Sequence, residues 1–315
     1  MSRKTLWFLV KLVFGVGLLL YLGLVIARPR EIVAVIASAS WPLLLLAFAL
    51  HAFGFLISAK RWKLILDRQG GEFGLGELAR SLLVGSFFNL FLPTRFGGDV
   101  VRVSDTRRTG SGVTGSLAVV VFERMSGIVA LLGFALLASL LKVGFLREMP
   151  ILAVSLAVSL AGVTLLWLAW RRLPRGWLAG RTCRLPWIGR LLARLDAFHG
   201  IILDFLGQPR LSRRVFLWAL LLQCNVVLHY FLIGQALGLA RIPLIDYFFS
   251  IPMMLFVLSF PISINGLGVR DLFLVRLFVH YGYAAEFAIA FSLLDLGFNV
   301  VLGVIGGVIY ILRGR

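Results

Sequence analysis

Residues 151–170 run for 20 positions without a charged side chain, and residues 215–240 run for 26 with only Gln223, Asn225, His229 and Gln235 as polar interruptions. A helix rises about 1.5 Å per residue, so roughly 20 apolar residues cross a hydrocarbon core of about 30 Å. Membrane-spanning strands would instead need short alternating segments, and the sequence has none. The pattern therefore predicts an all-α polytopic membrane helix bundle. Composition agrees: 60% of the 315 residues are hydrophobic and 15% are charged, against about 45–50% and about 25% in soluble domains.

The apolar runs place spanning helices at about 6–27, 41–59, 115–141, 151–170, 215–239 and 286–312. Two more, 77–92 and 244–260, end in the breaks Leu92-Pro93 and Phe260-Pro261, each followed by a glycine-rich, charged stretch. Six spans plus two re-entrant broken helices is the favoured arrangement; eight full spans is the rival. The chain reads as a single transmembrane domain over 1–315. The run after Met1 is longer than a signal-peptide core and lacks a small-residue cleavage site, so it reads as an uncleaved first helix.

A net charge of +18 would suit a nucleic-acid partner if it lay on a soluble face. Here the cations sit between apolar runs, which excludes nucleic acid and fits the positive-inside rule. With the amino terminus inside and both broken segments returning to their side of entry, inner segments carry 23 Lys and Arg and outer ones 5. Both termini are thus expected in the cytoplasm, in a bacterial or archaeal plasma membrane. The basic loop 171–214 repeats Ile188, Leu191, Leu192, Leu195, Phe198, Ile202 and Phe205 at helical spacing, with Arg190, Arg194 and Asp204 on another face. That pattern predicts an amphipathic helix on the cytoplasmic leaflet, near anionic headgroups.

The two breaks correspond. Counted from Pro93 and Pro261, glycine follows at Gly98 and Gly266, Val-Arg at Val101-Arg102 and Val269-Arg270, and arginine at Arg108 and Arg276; Phe88 and Phe256 precede them. Proline ends a helix by removing a donor and clashing with the preceding turn, and glycine permits a sharp turn or close approach. Backbone groups freed at membrane depth must be satisfied by protein or water. Paired half-helices entering from opposite sides match the inverted-repeat layout of secondary transporters.

Ionisable residues inside apolar runs cost about 2.5–3.5 kcal/mol each on insertion scales. Glu123 and Arg124 read either as part of a polar site with Arg102 and Arg270, or as an interfacial pair at a span's end. Asp295 is a lone carboxylate one turn from Asn299. His51 and His229 are expected to bond helix to helix. Gly234 with Gly238, and Gly303 with Gly307, have the spacing of close helix packing. Cys183 and Cys224 form no metal-ligand spacing, no acidic pair suits magnesium, and Gly110–Ser116 lacks the lysine of a phosphate loop. No metal or cofactor is expected, and no enzyme activity.

Leu92-Pro93, the run Gly97, Gly98, Asp99, Val100, Val101, Arg102, then Glu123-Arg124 with Gly127, then Pro261, Gly266, Gly268 and Val269-Arg270-Asp271 together resemble the lysylphosphatidylglycerol synthase transmembrane-region family. The likeness runs from about 5 to 312. It implies a flippase-like lipid translocator or a partner in lipid modification. The family's bifunctional members carry a separate aminoacyl-transfer domain; nothing in this chain is expected to supply it. Asp271 stands where many relatives have glutamate.

The expected function is passage of a lipid with an anionic or polar headgroup between leaflets. Arg102 and Arg270 are expected to hold the headgroup, with Glu123, Arg124, Asp295, Asp99 and Asp271 around them. Pro93, Gly97, Gly98, Pro261, Gly266 and Gly268 shape the breaks. Partners are membrane lipids, and lipid-biosynthesis enzymes if the chain belongs to a complex. The alternatives are an intramembrane lipid-modifying enzyme and a non-transporting scaffold.

Overall fold

In the computed structural model, residues 29–91, 97–107, 112–141, 186–259 and 268–313 are described, with a few positions between 157 and 172. The expected spans 6–27 and most of 151–170 lie outside them. The elements are α1 (Pro29–Ala37), α2 (Trp41–Leu66), α3 (Leu75–Phe91), α4 (Gly97–Thr106), α5 (Gly112–Leu141), α6 (Pro186–Leu206), α7 (Pro209–Ala236), α8 (Leu244–Ser259), α9 (Val269–His280) and α10 (Ala285–Leu312). No strand occurs among the described residues.

Among the described residues, four helical segments are long and apolar enough to cross a membrane: Trp41–Gln69, Gly112–Phe134, Pro209–Ala236 and Ala285–Leu312. Each falls on a run the sequence marks as a span. Their outer faces are apolar and exposed. On α10, Val300, Val301, Val304, Ile305, Val308 and Ile311 face outward, the last at 75% exposure. An apolar stripe of that length is suited to lipid, not water. The chain is an all-α, multi-pass integral membrane protein.

Two helices are shorter. α3 has 17 residues and α8 has 16, about 25 Å of helix each. They stop just before the two proline breaks, as expected; Pro93, Pro261 and Gly266 themselves lie outside the described residues. The chain on either side of the first break lies side by side. Gly98 donates its N–H to Asn89 Oδ1 at 2.7 Å, and a Cβ on Gly85 would sit 3.0 Å from the Gly98 Cα. The sequence correspondence is not kept in helical register. α4 begins at Gly97, so Arg102 is its sixth residue; α9 begins at Val269, so Arg270 is its second.

Contacts divide the chain, which the sequence suggests is one domain, into two units. The first takes Met1–Leu56, Arg80–Asp99 and Leu222–Arg315. In it α10 packs on α9 and α1, and α8 on α9. Tyr247, Phe278, Phe291, Ile233 and Leu239 are among its fully buried side chains. α10 also meets α3 through glycines: a Cβ on Gly306 would collide with the Leu83 carbonyl, and one on Gly307 would lie 2.7 Å from the Phe87 ring. Gly303 and Gly307 thus pack as their spacing predicts. Gly238 does not: it takes φ +79° just past α7, and Leu239 N–H closes back on the Gly234 carbonyl at 2.9 Å. It is a helix stop.

The second unit takes Ile57–Ala79 and Val100–Leu221. α5 and α6 pack together, with Phe122 and Phe205 rings 5.1 Å apart. The predicted amphipathic helix is present as α6, but Ile202 and Phe205 are buried in protein while Leu195 is exposed. Part of its apolar stripe therefore serves α5. Helix α2 continues past residue 59 to Leu66, because Lys60, Arg61 and Lys63 are good helix formers. Lys63 then holds the following turn, bonding Asp67 Oδ1 and the Phe73 carbonyl, both at 2.8 Å.

The α3–α10 contact predicts a stability difference. Gly306→Val should cost about 1–3 kcal/mol through overpacking. Gly297→Ala, with nothing within 4 Å of the added carbon, should be neutral or slightly stabilising. Thermal unfolding of both variants in detergent checks the contrast.

Candidate functional site

Each unit holds a buried arginine with its own carboxylate. In the second unit Glu123, on α5, is 2% exposed. Arg61 from α2 grips one of its oxygens twice, with Nε at 3.2 Å and Nη2 at 2.8 Å from Oε1. Arg102 from α4 takes the other, Nη2 donating to Oε2. The Arg102 guanidinium lies over the fully buried Trp62 ring, 4.3 Å from its centre, a favourable cation–π placement. Gly127, one turn along α5 from Glu123, lies 3.8 Å from Arg61 Nη1 measured from an added Cβ, so a larger residue there would press on the guanidinium.

This cluster contains two guanidinium groups and one carboxylate. Arg61 Nη1 and Trp62 Nε1 are buried with no hydrogen-bond partner among the described residues. Its local balance is therefore positive, with donors still unfilled. A phosphate or carboxylate would satisfy both deficits, and arginine forks suit such planar or tetrahedral anions.

In the first unit Arg270, the second residue of α9, donates Nη1 to Asp295 Oδ2 at 2.6 Å and Nη2 to the Ser292 carbonyl at 3.1 Å, both on α10. Asp271 Oδ2 accepts the Gly268 N–H at 2.8 Å, and its Oδ1 lies 3.8 Å from Arg270 Nε. A carboxylate in the first turn also favours the helix's positive end. Asp271 therefore anchors the start of α9 and holds Arg270 at the same time. Gly268 makes this possible with φ +80°. Asp295 Oδ1 faces His229 Nε2 at 3.4 Å, and His51 stacks near His229 with ring centres 4.8 Å apart.

The structure brings Arg102 and Glu123 together, and Arg270, Asp271 and Asp295 together. Glu123 is thus a buried member of an ionic cluster. Arg124 is exposed, since adjacent helical residues point about 100° apart. Asp99 is half-buried in the first turn of α4, and Gly97 and Gly98 are buried at that helix's start. His229 bonds helix to helix as expected, through Nδ1 to the Ala47 carbonyl at 2.9 Å, and Asn225 Nδ2 does the same to the Leu50 carbonyl at 3.0 Å.

Two residues escaped the sequence reading. Arg61 follows directly on the apolar run 41–59, where a loop is expected, yet it is 7% exposed. Trp62 beside it gave no polar signal. Their legible clue was that α2's apolar pattern continues through Leu64, Ile65 and Leu66.

Breaking a buried ion pair by removing one partner costs about 3–5 kcal/mol. Glu123→Gln should destabilise by that amount, as two guanidinium groups lose their only shared carboxylate. Arg124→Gln should stay within about 0.5 kcal/mol. Chemical or thermal unfolding in detergent distinguishes the two.

No curated protein and no solved structure matches the chain. The family model for the lysylphosphatidylglycerol synthase TM region matches residues 8–307, covering both units and every charged residue of the two clusters. The chain belongs to the lysylphosphatidylglycerol synthase transmembrane-region family.

Proposed function

We propose that this protein carries a lipid with an anionic headgroup between the leaflets of its membrane, and that Arg61 and Arg102 receive the headgroup. The observation that carries this reading is the pair of buried guanidinium groups that share Glu123 beside unfilled donors on Arg61 and Trp62. An arriving phosphate balances the charge and fills the open donors on Arg61 and Trp62.

Membership in a family named for lipid chemistry supports a lipid substrate. The broken helices support translocation. α3 and α8 are too short for an upright crossing, and α3 doubles back at Gly98. They act as re-entrant half-helices whose free backbone ends accommodate polar groups within the bilayer. The distribution of lysine and arginine supports cytoplasmic termini. An inside-negative potential favours outward movement of one negative charge by about 2.3 kcal/mol per 100 mV, so potential or a lipid gradient drives transfer without ATP.

Arg61→Ala and Arg102→Ala are the informative variants, because each leaves Glu123 with one balancing guanidinium. In liposomes containing the purified protein and a fluorescent anionic phospholipid, transfer between leaflets should proceed with wild type and be abolished by either change, with insertion intact. Arg61→Lys should retain part of the rate. Undiminished transfer by both alanine variants would overturn the headgroup assignment.

A further inference from the structure

Three polar side chains from three apolar helices converge in the first unit. His51 of α2, His229 of α7 and Asp295 of α10 bring ligand-type atoms within 4.8 Å of one another. The His229 tautomer follows from its surroundings. Nδ1 lies 2.9 Å from the Ala47 carbonyl oxygen, which can only accept, so Nδ1 carries the ring proton. In the neutral ring Nε2 then bears a lone pair. That lone pair faces Asp295 Oδ1 at 3.4 Å, another acceptor. Two acceptors facing each other in a buried site attract a cation, either a second ring proton or a metal ion.

The spacing has room for a metal ion. A proton shared in a charge-assisted bond draws nitrogen and oxygen to about 2.7–2.9 Å. Two ligands about 2.1 Å from a tetrahedral metal ion stand roughly 3.4 Å apart. The other Asp295 oxygen is held by Arg270 at 2.6 Å, which aims Oδ1 at the histidines. The imidazole N–H of His229 on a backbone carbonyl is the arrangement that orients metal-bound histidine. His51 Nε2 is buried with no hydrogen-bond partner among the described residues. The charges at the cluster are one guanidinium, Arg270, against two carboxylates, Asp295 and Asp271. With neutral rings the balance is negative and favours an added cation.

We propose that His51, His229 and Asp295 bind one divalent transition-metal ion. The donors are His229 Nε2, Asp295 Oδ1 and the free Nε2 of His51, with a fourth position left for water or another ligand. Two imidazoles and one carboxylate suit zinc; magnesium and calcium take oxygen ligands. Closing the set to zinc distances draws His51 inward by roughly 1 Å. The site is independent of the lipid-carrying reading, since it uses neither Arg61 nor Arg102.

The test uses tag-free, full-length protein in detergent, stripped with chelator, dialysed against zinc chloride and analysed for metal by mass spectrometry. About one zinc per chain is expected, with a rise in unfolding temperature. His51→Ala and His229→Ala should each lose the stoichiometric zinc and the thermal gain. His51→Asn, which keeps a polar side chain beside Asn299 without the imidazole, is the control for folding and should also lose the zinc. Cobalt in place of zinc should give the visible absorption of a tetrahedral nitrogen–oxygen site, absent in both variants. Substoichiometric zinc in wild type, or equal zinc in wild type and both variants, would overturn the site.

Discussion

Taking a charge out of water costs several kcal/mol even after a protein relaxes around it, and in hydrocarbon no solvent is available to help. Among the described residues, Glu123 and Asp295 are each met by opposite charges from other parts of the chain. Glu123 of α5 gathers arginines from α2 and α4. Asp295 of α10 gathers Arg270 of α9 and faces His229 of α7. These pairings link segments far apart in sequence. Apolar packing alone discriminates poorly between helix arrangements when lipid is as apolar as the helix surfaces. The ion pairs supply part of the specificity that the hydrophobic effect does not.

The two clusters solve this problem differently. Around Arg270 the carboxylates outnumber the guanidinium, and the arginine is fixed by Asp295, Asp271 and the Ser292 carbonyl. Around Glu123 the guanidinium groups outnumber the carboxylate. One site is poised to accept an anion and the other a cation. That opposite polarity underlies both the proposed headgroup site and the proposed metal site.

Much of the architecture was legible from sequence because membrane thickness sets helix length. The runs at 41–59, 115–141, 215–239 and 286–312 stand out on length alone, and the breaks after Phe91 and Ser259 follow from proline chemistry. Burial of Glu123 and Asp295 was readable from their position among apolar residues, and Arg102 and Arg270 stood out by their place after the two proline breaks. Partner choice was not. Arg61 sits at the end of an apolar run, where loop and helix look alike, and only the approach of α5 decides its environment. The meeting of His51, His229 and Asp295 depends on the packing of three helices separated by up to 244 positions in the chain, which no local pattern encodes. Equal spacing after the two prolines also misled: the helices resume at different distances, so Arg102 and Arg270 occupy different turns.

Helix α10 carries Asp295 near its middle and the Gly303–Gly307 face two to three turns further on. Its backbone at Gly306 lies directly against the Leu83 carbonyl. A helix of this kind transmits rotation as a stiff rod. A swivel of α10 that swings Asp295 away from Arg270 would also drag its glycine face across Leu83 and Phe87 of α3. The acid–guanidinium lock and the glycine seam are fittings on one shaft.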